Sequence, residues 1–163
     1  MPAARTVLLP IPAEQAFALL TDIRRHADWV PLTRIDVLGP TDDDGRLVPG
    51  GEFVATTGPL ARSGAPGLAD RMRLTELRPP RTDARASGTA RYTKVGPVLT
   101  GWAVLSVHPL GVACSEVTWT ERIGVRRIPA AVTDALGTLP TTGMLRTVLG
   151  RVAREVAAAP HPG

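Results

Sequence analysis

The sequence predicts an α+β domain. It reads as an antiparallel sheet of about six to seven strands, two short helices after the first strand, and one long C-terminal helix across the sheet. Three observations predict it. Between residues 33 and 125 the apolar residues alternate with polar ones, and Gly-, Pro- and Asp-rich turns break the pattern. Ahead of that stretch, Ala16, Phe17, Leu19, Leu20 and Ile23 fall on a helical face instead. At the C-terminus Leu145, Leu149, Val152 and Val156 recur at spacings of 4, 3 and 4, which places them on one side of a helix. A sheet with one wet face has to bury the other, and this last helix is the only element large enough to cover it.

The elements follow in order. Arg5 to Leu9 is a short apolar run ended by Pro10, hence a strand. Pro12-Ala13-Glu14 opens a helix that runs to about residue 20: proline lacks the N–H that has no partner in a first turn, and Glu14 suits the positive end of the dipole. Thr21 or Asp22 caps a second short helix, Ile23 to Ala27, which Trp29-Val30-Pro31 closes; Trp29 is expected to staple these helices to the sheet. Strands are expected at Thr33–Leu38, Gly51–Thr57, from Leu68 past Thr75, at Thr82–Lys94, at Val98–His108 and at Ala113–Val125. The breaks are Gly39–Gly45, the Gly58–Gly67 loop, Pro79-Pro80, Gly96-Pro97 and Pro109-Leu110-Gly111. A helical segment is expected over Pro129–Leu136, interrupted by Gly137 and Pro140; Thr141 or Thr142 then caps the long helix to about Ala158, with Arg146, Arg151 and Arg154 on its wet side.

Composition narrows the classes. At 163 residues the chain fits one domain, with a core of about 4–158 and a tail beyond it. Hydrophobic residues are 44% and charged ones 21%, which excludes disorder as a description of the whole chain. No stretch approaches the roughly 20 apolar residues of a membrane span. Met1–Pro12 holds only a short apolar run broken by prolines, so no secretory signal is read and the cytoplasm is the expected compartment. The single cysteine, Cys114, excludes an internal disulfide framework and reads as a small buried hydrophobe. The net charge of +4 comes almost wholly from arginines spread along the chain, Lys94 being the only lysine. With no like-charge run and 4% aromatics, a nucleic-acid partner is not expected. His26 and His108 have no second ligand at metal spacing, and neither a G-x-S-x-G elbow nor a phosphate loop is present, so no metal or cofactor is expected.

Three segments carry a resemblance. "IPAEQAFALLTDIRRHADWVP" resembles the opening of the START-like, or helix-grip, superfamily (SRPBCC, polyketide cyclase/dehydrase-like and lipid-transfer-like). "DRMRLTELRPP" is similar to its strand ending in Glu-x-x-Pro-Pro, and "GWAVLSVHPLGVACSEVTWTERI" to its last two strands. The resemblance covers residues 4 to 158 and implies a strongly curved sheet gripping the C-terminal helix. Between the two it implies an elongated cavity for an apolar or amphipathic small molecule. The candidate lining is then Phe53, Met72, Leu74, Tyr92, Trp102, Val117, Trp119, Glu121, Leu145, Leu149 and Val152. The glycines at 58, 64 and 67 mark a loop expected to gate it.

Within that frame some residues carry chemistry. Val117, Trp119, Glu121 and Ile123 share a face by parity, and a carboxylate on an apolar face is costly unless paired or protonated. Glu121 is therefore a candidate acid, base or ligand anchor, or else it pairs with an arginine across the sheet. Asp70, in phase with Met72, Leu74 and Glu76, is either a cavity-mouth carboxylate or a turn former, and Tyr92 either a hydroxyl donor or a rim residue. The fold hosts many functions, so three remain open. The first is binding of a lipid-, polyketide- or isoprenoid-like molecule. The second is a cyclase or dehydratase using Glu121, Asp70 or Tyr92 for proton transfer. The third is a protein-interaction module, which would show an exposed apolar patch.

Overall fold

A computed structural model describes residues 2–128 and 130–159, with backbone alone along 130–140. The tail from His161 and the predicted helix start at Pro129 lie outside the described residues. The elements are β1 (Ala3–Leu9), α1 (Ala13–Thr21), a 3-10 turn (Ile23–Arg25), α2 (His26–Trp29), β2 (Thr33–Leu38), β3 (Glu52–Thr57), a 3-10 turn (Ala61–Ser63), β4 (Leu68–Arg78), β5 (Gly88–Lys94), β6 (Leu99–Gly111), β7 (Cys114–Val125) and α3 (Ala130–Ala158). The strands form one antiparallel, curved sheet in the order β1-β7-β6-β5-β4-β3-β2. No helix among the described residues is long and apolar enough to cross a membrane.

The inner face follows the period of two. Phe53, Met72, Leu74, Ala90, Tyr92, Ala103, Leu105, Val107 and Val117 are all buried. A bulge between Leu74 and Glu76 then shifts the register of β4, so Leu77 rather than Glu76 packs on the core. α3 lies on β1 and β7 and touches α2. Its seam is Leu145, Val148, Leu149, Val152 and Val156, all buried. Burial of each such side chain stabilises by roughly 2 kcal/mol.

Three expectations are corrected. Only Gly88–Lys94 of the predicted Thr82–Lys94 strand is extended. Ahead of it, side chains capture the backbone into a turn: Asp83 accepts from the N–H of Ala84 at 2.9 Å, and Glu14 accepts from that of Thr82 at 2.7 Å. β6 continues through Pro109 to Gly111, because its register with β7 shifts between these two residues and the proline needs no ladder partner there. α3 is continuous through Gly137 and Pro140, so Thr141 and Thr142 sit inside it rather than capping it. A proline removes one internal hydrogen bond without ending a helix whose flanking turns carry on. Trp29 also ties α2 to α3: its indole N–H donates to Glu155 Oε2 at 2.8 Å.

Gly101 is the residue that lets β6 and β7 pair closely. Its φ is +121°, and a Cβ there would stand 2.0 Å from the carbonyl oxygen of Arg122. Gly101→Ala is expected to lower stability by about 3 kcal/mol or more, read as a shift of the urea midpoint at unchanged slope. A variant as stable as the wild type would mean that the two strands pair in another register.

Candidate functional site

The interior is solid at one end and hollow at the other. At the solid end Phe17 and Leu20 of α1 join Ala90, Leu105, Val107 and Val117 in the packed core. At the other end, between β2–β7, α3 and the short helices, lies a cavity of about 240 Å³. Its walls include Ile35, Phe53, Ala55, Met72, Tyr92, Leu99, Ala103, Trp119, Ile123, Met144, Leu145 and Val148, and Thr57 and Leu68 stand at its rim. An apolar cavity of about 150 Å³ holds one benzene, so this one has room for about one to two rings.

One polar cluster interrupts the apolar lining. Lys94 is buried at the end of β5. Its ammonium lies 2.8 Å from Glu121 Oε1 and donates to Asp70 Oδ2; Met72 Sδ stands at 3.9 Å. Asp70 is on β4, beside the Met72↔Lys94 pair, and Glu121 is on β7, two strands from β5. The strand between, β6, presents Gly101 and Ala103 to this row, and their small size lets the lysine reach across. Burial alone pushes the ammonium toward its neutral form. The charges of Glu121 and Asp70 and their hydrogen bonds outweigh that and hold its pKa above 10.5.

Two further groups border the hollow with unmet hydrogen-bonding capacity. Asp70 Oδ1 and the Trp119 indole N–H are both buried and have no partner. His26 also lines the cavity, its ring 5.2 Å from that of Trp119 and 5.6 Å from that of Trp29. Because a carbonyl only accepts, His26 Nε2 carries the proton it donates to Leu20 O at 2.8 Å. Burial pushes this imidazole down from its ordinary value of 6.5, toward the neutral form. Tyr92 packs edge-on against Phe53 at 5.9 Å, and burial pushes its phenol up.

The structure brings Phe53, Asp70, Met72, Tyr92, Trp119, Glu121 and Leu145 together around the hollow. It does not bring the other candidates there. Leu74, Val117, Leu149 and Val152 are buried in the packed core and do not line the cavity, because α1 and α3 close over that part of the sheet. Trp102 is on the outer face: Ala103, Leu105 and Val107 are the inward side chains of β6, which puts the even-numbered ones outside. Glu121 pairs with a lysine rather than an arginine. Lys94 itself was missed, although it is the only lysine in an arginine-rich chain and shares parity with Tyr92. His26 was missed as well, since no one-strand pattern points a residue of a short helix into a cavity. The Gly58–Gly67 segment is tied down by Arg34 Nη1 to Ala61 O at 3.0 Å and Arg62 Nε to Thr33 O at 3.3 Å. Among the described residues no cluster of three metal-ligating side chains occurs.

Comparison with known proteins matches the fold to one group. The family described as polyketide cyclase / dehydrase and lipid transport matches residues 3–157. The chain is similar in structure to a START superfamily protein from Mycobacterium smegmatis, with TM-score 0.66, 14% identity, and coverage of 95% of this chain and 98% of that one. A protein from Thermobifida fusca gives TM-score 0.63 at 22% identity, over 99% of this chain and 97% of that one. A di-domain ARO/CYC, BexL, from the BE-7585A biosynthetic pathway gives TM-score 0.62 at 14% identity, over 98% of this chain and 48% of that one. No protein of curated function matches by sequence.

The buried cluster sets an alkaline limit to stability. Unfolded, tyrosine and lysine lose their protons near 10.0 and 10.5; folded, Tyr92 and Lys94 keep theirs to higher pH. The folded state thus binds more protons from about pH 10 upward, and stability is expected to fall there as pH rises. Tyr92→Phe should flatten that fall in urea titrations at successive pH values. Lys94→Met, which leaves two carboxylates buried without their cation, should cost about 3–5 kcal/mol at neutral pH.

Proposed function

We propose that this chain, which belongs to the polyketide cyclase / dehydrase and lipid transport family, binds a small hydrophobic molecule in the hollow between sheet and α3. The observation that carries this is a cavity of about 240 Å³ whose lining is apolar except around one cluster of polar groups. Such a site holds a guest by burying its apolar body and orients it through few, fixed hydrogen bonds. Here the apolar part is supplied by Phe53, Met72, Leu99, Trp119 and Met144, the orienting part by Asp70, Glu121 and the Trp119 N–H. The volume suits a guest of one or two rings or a short branched chain better than a long acyl chain.

A second reading is catalytic. Asp70, Glu121 and Tyr92 border one water-poor hollow, and carboxylates in such a place exchange protons with a bound carbonyl compound. A cyclase or dehydratase acting on a polyketide-like chain would use that. Glu121→Gln should then abolish turnover of such a chain while leaving its binding and the fold in place.

The binding reading is tested by filling the hollow. Ala55 of β3 lines the cavity outside the β5–β7 row that Lys94 spans, so Ala55→Leu adds three carbons into open space. The variant is expected to fold with at least wild-type stability and to lose about ten-fold or more of its affinity for a naphthalene-based probe, by calorimetry. Native mass spectrometry of the wild type should show a copurified hydrophobe that the variant lacks. Equal probe binding by both proteins would exclude the hollow as the site.

A further inference from the structure

We propose that the cavity selects a hydrophobic cation: a small protonated amine whose apolar body fills the hollow and whose N–H groups meet Asp70 and Glu121. This rests on reading the hollow as a ligand site and adds the charge of the ligand. Among the described residues the ionisable side chains bordering the cavity are His26, Asp70, Tyr92 and Glu121, and the Tyr92 phenol, pushed up by burial, stays neutral. Lys94 lies behind them with no exposed side-chain area, its ammonium engaged by both carboxylates. Two carboxylates against one ammonium leave one negative charge in excess. His26 does not supply the missing positive charge, since its ring is buried and its Nε2 proton is donated to Leu20 O. Arg71 and Arg73 are turned to Glu52 on the outer face, at 2.5 and 2.6 Å.

The excess charge has an address. Lys94 takes Oδ2 of Asp70, while Oδ1 is buried and accepts nothing. An unmet buried acceptor of this kind is costly, and a donor carried by a guest relieves that cost. An ammonium donates to Oδ1 and brings the cluster to two positive and two negative charges. An anionic guest would instead face both carboxylates. The unpartnered indole N–H of Trp119, in the same wall, offers a second contact to a guest that carries an acceptor near its amine.

Three probes of one shape separate charge from shape: naphthalen-1-ylmethylamine, naphthalen-1-ylmethanol and 1-naphthoate, titrated into the full chain near neutral pH by calorimetry. The amine is expected to bind about ten-fold or more tightly than the alcohol, as suits a charge-assisted hydrogen bond, and the naphthoate more weakly than either. Asp70→Asn should bring the amine down about ten-fold or more, to about the affinity of the wild type for the alcohol. Glu121→Gln is the second variant, and the wild-type ranking decides if neither folds. Alcohol or naphthoate binding as tightly as the amine overturns the charge preference and leaves the cavity as a binding site. Failure of all three to bind overturns both readings.

Discussion

A sheet seven strands wide has more apolar inner surface than one helix can cover, and the rest of the molecule follows from that mismatch. α3 lies against β1 and β7, and α1 fills the far end with Phe17 and Leu20. What remains, over the inner faces of β2 to β6, is bridged by two short helices and otherwise left open. The hollow lies where α3 and the short helices stand off the sheet. The small side chains of Ala55 and Ala103 keep the open part from refilling. Close-packed interiors leave few such voids, so one with both apolar walls and a polar corner is a built feature of this fold.

Most of the fold was legible because its signals are local. The period of two along Met72-Leu74 and Val117-Trp119-Glu121, the spacing of Leu145, Leu149, Val152 and Val156, and the proline at the start of α1 each report one element without reference to any other. Elements failed where a non-local contact outweighed a local signal. The turn before β5 is made by Glu14, some 68 positions away, reaching the N–H of Thr82. Pro140 looks like a stop in isolation but sits within a continuous helix whose following turns pack into the core.

The site was legible by half for a related reason. Parity tells which face a strand residue takes, and it put Phe53, Met72, Trp119 and Glu121 on the inner face, where they stand. It does not tell how far along the sheet the helices close, so Leu74 and Val117 looked equivalent to their hollow-lining neighbours. Trp102 was misassigned because an indole among apolar residues looks inward, whereas the smaller Ala103 takes that face. The partner of Glu121 sits two strands away, beyond the reach of any single-strand pattern. Only its singularity marked it: an otherwise lysine-free chain keeps one unbranched cation, the side chain slender enough to pass over Gly101 and Ala103.

Glu155 has a mechanical role that its exposed position hides. One of its oxygens receives the Trp29 indole N–H and the other the guanidinium of Arg25, which also lies 5.7 Å over the Trp29 ring. Arg151 adds a bond of 3.1 Å to the Trp29 carbonyl. Swinging α2 away from α3 strips all of these together. The helical flank of the hollow is therefore pinned as one unit, and at the opposite lip Leu68 stands 55% exposed beside Thr57 at the ends of two strands.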